Sequence, residues 1–289
     1  MKHLELFVEL IRLKKPIGYM LLFWPCAWGL TLAYNFSDGY NLYFKYLLLF
    51  FLGSVLMRSA GCIVNDIFDK EFDKKVIRTK DRPIASDKIS IKLASIYSII
   101  LCFLAFIVLI NFNFLTIILA IGSMPFAFTY PLMKRFTYWP QLFLGITFNY
   151  GLILGWTSIQ DGISLLPIIL YFGAIFWTLG YDTMYGFQDI LDDEIIGVKS
   201  TSIKFKDKSK LFLLVCYSIT FLSLIFVSLM INFNYYFYIG LIIVFIHLFY
   251  YQIYNFNFSN KQNCLKLFKS NNLLGLVILT FIFLGRLNI

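Results

Sequence analysis

Nine of the sixteen Asp and Glu residues in this chain fall in two short stretches, 65–73 and 182–194. The first reads Asn65-Asp66-Ile67-Phe68-Asp69-Lys70-Glu71-Phe72-Asp73, and the second holds Asp182, Asp189, Asp192, Asp193 and Glu194. Carboxylates repel one another and are costly to desolvate, so clustering them in an otherwise apolar chain calls for a shared cation. Mg²⁺ is typically held by one or two carboxylates together with the phosphates of a substrate. Asn65, Asp69 and Asp73 are spaced i, i+4, i+8, which places them on one helix face. Asp189 and Asp193 repeat the i, i+4 spacing, and Asp182 lies about two turns deeper on nearly the same face. Two such faces would hold one or two Mg²⁺ ions with a diphosphate between them. The plainer reading is a pair of solvated helix ends neutralised by lysines. It suits one acidic corner better than two on the same side of a membrane.

Basic residues follow the first cluster in Arg78-Thr79-Lys80-Asp81-Arg82-Pro83. A guanidinium fork matches phosphate oxygens as a lysine cannot, so Arg78 and Arg82 are candidates to neutralise a departing diphosphate. Lys74, Lys75, Lys88 and Lys92 read as an ordinary basic loop. Arg58 falls inside an apolar run, where burial is expensive unless the side chain meets an anion. That anion is either a substrate group or Asp182 in a structural ion pair. His3 and His247 are poor catalytic candidates, and the five scattered cysteines have no metal or redox spacing. Gly151 and Gly155 have the spacing of close helix packing.

These residues sit on an apolar scaffold. The chain is 60% hydrophobic and 14% charged, against about 25% charged in soluble domains, and its mean hydropathy is +0.76. Apolar runs long enough to cross a bilayer predict about nine spans, near 17–35, 43–64, 91–110, 114–133, 139–158, 164–187, 210–231, 235–254 and 271–287. Asn111-Phe112-Asn113 and Asn232-Phe233-Asn234 predict tight turns between spans. With alternating spans, all 25 Lys and Arg except Lys45, Arg58 and Arg286 gather on the face that carries both acidic stretches. Such a bias marks the cytoplasmic side, so the N-terminus and the acidic loops are expected there. The net charge of +9 therefore belongs to a membrane surface and an anionic substrate, and nucleic acid is not an expected partner. The expectation is one transmembrane domain over 1–289, with the two acidic corners as equivalent points of an internal repeat.

Asn65-Asp66-x-x-Asp69-x-x-x-Asp73 followed by Arg78-Thr79-Lys80-Asp81-Arg82-Pro83 resembles the first signature of the UbiA superfamily of intramembrane prenyltransferases. Tyr181-Asp182-Thr183-Met184-Tyr185, Asp189-x-x-Asp192-Asp193 and Gly197-Val198-Lys199-Ser200-Thr201 resemble the second, with Ile190-Leu191 where a more acidic run is usual. Arg12-Leu13-x-x-Pro16-Ile17-Gly18, Trp24-Pro25 and Tyr130-Pro131-x-x-Lys134-Arg135 are similar to the 4-hydroxybenzoate polyprenyltransferase branch.

The resemblance implies an all-α polytopic membrane protein with about nine transmembrane helices around a central cavity capped by the two acidic loops. It implies Mg²⁺-dependent transfer of a polyprenyl group from polyprenyl diphosphate to the ring of a small aromatic acid, 4-hydroxybenzoate, in ubiquinone synthesis. By position, Asn65, Asp69, Asp73, Asp189 and Asp193 would be the metal and diphosphate ligands, and Asp69, Asp73, Asp182, Asp189 and Asp193 the acids of catalysis. Arg78, Arg82 and Lys134 would contact the diphosphate, Tyr130 would be a further substrate-binding residue, and Arg58 and Asp182 would lie nearer the acceptor. A bacterial inner membrane is the expected setting. Branches that use naphthoate, haem or lipid-ether acceptors are the alternative, and a membrane transporter is a more distant one. A CDP-alcohol phosphotransferase is disfavoured because neither Asp38-Gly39 nor Asp161-Gly162 leads into an Ala-Arg run.

Overall fold

The computed structural model describes residues 3–287, and among these every regular element is helical. Seven helices are long and apolar enough to cross a membrane, within Asn41–Asp73, Ile91–Leu109, Phe114–Phe136, Leu165–Gly186, Lys206–Met230, Tyr235–Tyr254 and Lys261–Arg286. Ile17–Ala33 is a shorter apolar helix, and the predicted fifth span is two consecutive helical segments, Pro140–Asn149 and Gly151–Thr157, joined by Tyr150 in right-handed helical conformation. In chain order the α-helices are α1 (His3–Leu10), α2 (Ile17–Ala33), α3 (Asn41–Asp73), α4 (Ile91–Leu109), α5 (Phe114–Thr129), α6 (Met133–Phe136), α7 (Pro140–Asn149), α8 (Gly151–Thr157), α9 (Leu165–Gly186), α10 (Ile190–Ile196), α11 (Thr201–Lys204), α12 (Ser209–Met230), α13 (Tyr235–Phe245) and α14 (Lys261–Arg286). A π-helical segment, Ile246–Tyr254, continues α13.

Asparagine and serine side chains set several helix starts. Asn113 accepts from the Thr116 amide, Asn234 from Tyr236, Ser90 from Leu93 and Asn260 from Asn263. Each satisfies an amide that has no partner within the first turn. Two helices overrun their predicted spans. The predicted second span ends at 64, whereas α3 has 33 residues and is about 50 Å long at 1.5 Å per residue. A hydrocarbon layer of about 30 Å cannot cover it, so its last turns, with the acidic motif, stand beyond the lipid. Helix α14 begins at Lys261 rather than near 271, because Lys261, Lys266 and Lys269 interrupt the apolar run without ending the helix.

Close backbone approach fixes the centre of the bundle. A Cβ on Gly29 would lie 2.0 Å from the Leu152 carbonyl oxygen, and one on Gly155 would lie 2.2 Å from that of Cys26. The Gly151/Gly155 pair thus serves α2–α8 packing within the chain. Around this contact lie Trp28, Trp177, Tyr181 and Tyr217, all fully buried. Their polar ends are satisfied internally: Trp28 Nε1 donates to the Gly275 carbonyl at 3.0 Å, Trp177 Nε1 to Asn271 Oδ1 at 2.8 Å, and Tyr217 to Gln252 Oε1 at 2.5 Å. Gln252 Nε2 closes the network on Asn271 Oδ1 at 3.0 Å. A buried network with its members paired resists rearrangement. It holds α9, and therefore Asp182 and Tyr185, against α12 and α14. His247 belongs to this packing, with its Nδ1 3.2 Å from Gln252 Nε2.

Candidate active site

The polar end of α3 carries the first acidic motif, and Asp66, Asp69 and Asp73 are all buried there. Asp69 Oδ2 receives Lys134 Nζ at 2.5 Å and the Asn65 amide at 3.0 Å. Its other oxygen, Oδ1, is buried without a hydrogen-bond partner. Arg82 joins Asp73 Oδ2 at 2.8 Å to Asp66 Oδ1 at 3.2 Å, and Arg12 also bonds Asp66 Oδ1. The Thr79 hydroxyl donates to the Asp73 carbonyl at 3.0 Å, which folds the loop back and brings Arg82 onto the helix end.

The second motif meets the first through Arg78. Its Nε and Nη2 grip both oxygens of Asp189, at 2.8 Å to Oδ1 and 2.5 Å to Oδ2, and Nη1 donates to the Tyr185 hydroxyl at 3.1 Å. Lys134 ties the corners again, since its carbonyl accepts from the Lys199 amide at 3.0 Å while its ammonium reaches Asp69. The chain leaves α10 through Gly197 at φ 78°, a backbone state that glycine adopts without steric cost. Asp193 of α10 lies within electrostatic range of Asp189, Lys134 and Arg78. Burial raises its pKa to about 6, the nearby Asp189 adds to the rise, and Lys134 and Arg78 oppose it.

Six of the site residues read from the sequence, Asp69, Asp73, Asp189, Arg78, Arg82 and Lys134, thus join Arg12 and Asp66 in ion pairs in which acids and bases alternate: Asp73–Arg82–Asp66–Arg12, Asp69–Lys134 and Asp189–Arg78. Among the described residues no three acids, histidines or cysteines converge as a closed metal cage. The donors that do meet are hard oxygens, and the unpartnered Asp69 Oδ1 leaves one aimed at no protein group. Such a donor set fits a hard divalent cation that completes its shell with substrate oxygens. Arg58 and Asp182 lie deeper and form no ion pair with each other, so the structural pairing considered for Arg58 is not seen; each nevertheless lies within electrostatic range of the other and of Tyr130. Three partners were missed in the sequence. Arg12 and Asp66 stood in the quoted motifs without a role, and the Tyr185 hydroxyl carried no signal beyond its place beside Asp182. An open hollow of about 400 Å³ at the far end of the bundle, lined by Ala33, Tyr34, Asn35, Asp38 and Ser158 among others, is remote from these groups.

The sequence profile described as the UbiA prenyltransferase family matches residues 22–276. The chain belongs to that family. Among UbiA relatives, the mitochondrial 4-hydroxybenzoate polyprenyltransferase of Drosophila pseudoobscura pseudoobscura is 41% identical over 282 residues, covering 97% of this chain and 70% of the relative. The enzyme of the same name from Homo sapiens is 42% identical over 290 residues, covering 98% and 76%. The fold matches an apo UbiA homologue from Aeropyrum pernix K1 at a TM-score of 0.76, with 20% identity over 94% of this chain and 99% of that one. It also matches an Archaeoglobus fulgidus UbiA homologue bound to GPP and Mg²⁺ at a TM-score of 0.73, with 17% identity over 96% and 98%. One expectation is corrected. The curated animal relatives are mitochondrial by name, which overturns the placement in a bacterial inner membrane; a multi-pass membrane protein is what stands.

Proposed function

We propose that this chain transfers a polyprenyl group from polyprenyl diphosphate to the ring of 4-hydroxybenzoate, a step of ubiquinone synthesis, with Mg²⁺ as its metal. The observation that carries the reading is the alternation of acids and bases where the two motifs meet, with Asp69 Oδ1 left free. The names of the relatives at about 40% identity support the acceptor and the donor, and the fulgidus homologue, bound to GPP and Mg²⁺, supports the metal.

Asn65, Asp69, Asp73, Asp189 and Asp193 would hold the metal. When bound, the metal neutralises charge that builds on the leaving diphosphate. Arg78, Arg82 and Lys134 would turn from their carboxylates toward phosphate oxygens and add to that electrostatic stabilisation. Arg58, Asp182 and Tyr130, which lie within electrostatic range of one another, would orient the acceptor below the diphosphate. The prenyl C–O bond breaks and the ring carbon beside the hydroxyl forms the new C–C bond. The ring proton passes to a carboxylate of the site or to the released diphosphate. Burial within the bundle keeps water from the allylic cation, and aromatic faces such as those of Tyr185 and Phe268, 4.5 Å apart, stabilise it.

The test is product formation by purified protein given 4-hydroxybenzoate and a long-chain prenyl diphosphate, with and without Mg²⁺. Ring prenylation that needs the metal is expected. Mg²⁺-dependent binding of the prenyl diphosphate without product would keep the family chemistry and exclude this acceptor.

A second expectation concerns pH. Metal ligation requires an ionised carboxylate, and burial pushes the Asp193 carboxyl up to about 6. Divalent-cation affinity should therefore rise as pH increases through about 6. Titration of Mn²⁺ binding by electron paramagnetic resonance at pH 5 and pH 7 measures this, and equal affinity at both would exclude Asp193 as a ligand.

A further inference from the structure

Asp66 is 2% exposed, and a single oxygen of its carboxylate, Oδ1, receives two guanidinium groups: Arg82 Nη1 at 3.2 Å and Arg12 Nη2. Arg82 Nη1 also reaches Asp73 Oδ2 at 2.8 Å. Asp73 follows Asp66 by seven residues, about two helical turns, so the two acids stand one above the other on α3 and share Arg82. Arg12 arrives through a strained turn. It is one of two non-glycine residues with positive φ among those described, at 55°, a left-handed state that is unfavourable for any residue with a Cβ. Such strain persists only where the surroundings impose it. Leu10 and Ile11, just before it, share a buried cluster with Ala60 and Ile63 of α3, and the turn then carries Arg12 onto Asp66.

A carboxylate bonded to two guanidinium groups is a poor seat for a metal ion, because a cation would have to displace them and would meet their charge at close range. Asp69 is the opposite case, with Oδ1 buried and unpartnered. Asp73 stands between the two, since one arginine nitrogen divides its hydrogens between Asp73 and Asp66. Once Asp73 turns to the metal, Asp66 is the acid that still holds Arg82 at the end of α3. A half-buried guanidinium that lost both partners would be left uncompensated.

We propose that Asp66 is a positioning residue and not a metal ligand: it retains Arg82 beside the diphosphate while Asp73 serves the metal, and Arg12 completes its shell of donors. The inference rests on the functional reading given above and deepens it, dividing the acids of the first motif between two roles.

The experiment compares the Mn²⁺ affinity of the substrate-free protein, by electron paramagnetic resonance, in Asp66→Asn, Asp66→Glu and Asp69→Asn. For the two Asp66 variants it adds KM for prenyl diphosphate at saturating 4-hydroxybenzoate. Asp69→Asn should weaken Mn²⁺ binding. Asp66→Asn should keep the Mn²⁺ affinity and raise KM by about tenfold to a hundredfold, the range for hydrogen bonds to a charged group. Asp66→Glu keeps the charge that offsets the two guanidinium groups and carries the test if Asp66→Asn does not fold. Its KM should rise by a smaller factor, again with Mn²⁺ affinity intact. A cycle with Arg82→Gln separates positioning from general damage. A residue that acts through Arg82 adds nothing once Arg82 is gone, so the double variant should have the KM of Arg82→Gln alone. Loss of Mn²⁺ affinity in Asp66→Asn to match Asp69→Asn overturns the proposal, as does an unchanged KM in both Asp66 variants or additive rises in the cycle. Mn²⁺ affinity that survives Asp69→Asn, or no prenyl transfer by the unsubstituted protein, counts instead against the functional reading, and is told apart because neither involves Asp66.

Discussion

Asp69→Asn should lower turnover by about a thousandfold, the upper range for removing one electrostatic stabiliser of a transition state, in a protein that still inserts and folds. Asp69 is buried at 3% exposure and is shaped by two donors on Oδ2, Lys134 at 2.5 Å and Asn65 at 3.0 Å. An asparagine keeps the size and one acceptor oxygen for Lys134, so the local packing survives. What it loses is the charge, and with it the anionic oxygen Oδ1 that no protein group occupies. A control lies nearby. Asp87 is 63% exposed and pairs with Lys70 at 2.5 Å, and an exposed pair of this kind contributes little. Asp87→Asn should leave turnover unchanged. The measurement is prenyl transfer at saturating substrates, with thermal unfolding in detergent run beside it. Near-normal turnover in Asp69→Asn would sink its assignment as a metal ligand.

Features set by local chemistry were legible in the sequence. Asn113 and Asn234 marked two interhelical turns because an asparagine cap acts on amides two or three residues away. The i, i+4, i+8 spacing of Asn65, Asp69 and Asp73 was readable because α3 stays helical through Asp73. The same continuity explains a misreading. Apolar runs report the depth of lipid, not the length of a helix, so α3 overruns its predicted end and α14 starts before its predicted beginning. The predicted fifth span, 139–158, holds as well, since the single residue between α7 and α8, Tyr150, keeps right-handed helical angles of φ −56° and ψ −27°. Asn149 Nδ2 bonds the Gly145 carbonyl at 2.8 Å and Thr178 Oγ1 at 2.7 Å, the latter on a different helix. Partner choice within the site was hidden. Arg12–Asp66, Lys134–Asp69 and Arg78–Asp189 join residues far apart in the chain, and only the bundle packing decides which base meets which acid. The motifs named most of the members; their pairing belongs to the tertiary structure.

That pairing makes Arg78 the more discriminating test of how the two corners cooperate. Arg78→Lys should raise the KM for prenyl diphosphate by about ten- to a hundredfold, the worth of a charge-assisted hydrogen bond or two. The guanidinium uses three nitrogens at once: Nε and Nη2 on the two oxygens of Asp189, and Nη1 on the Tyr185 hydroxyl. A lysine offers a single centre of charge, which can meet Asp189 or Tyr185 but cannot span both. The substitution keeps the net charge, so a general change in surface potential does not explain a loss. Tyr185 also packs on Phe268 of α14 at 4.5 Å, so its ring stays in place when the hydroxyl loses its donor. Stability should change little, because Arg78 is 39% exposed and pairs of this kind are screened by water. The two possible roles of Arg78 then separate in one data set. A latch between loops predicts a lower unfolding temperature with KM intact, whereas a fork handed from Asp189 to the diphosphate predicts the reverse. An unchanged KM for prenyl diphosphate in Arg78→Lys would leave Arg78 as a loop tether and transfer the diphosphate contact to Arg82 and Lys134.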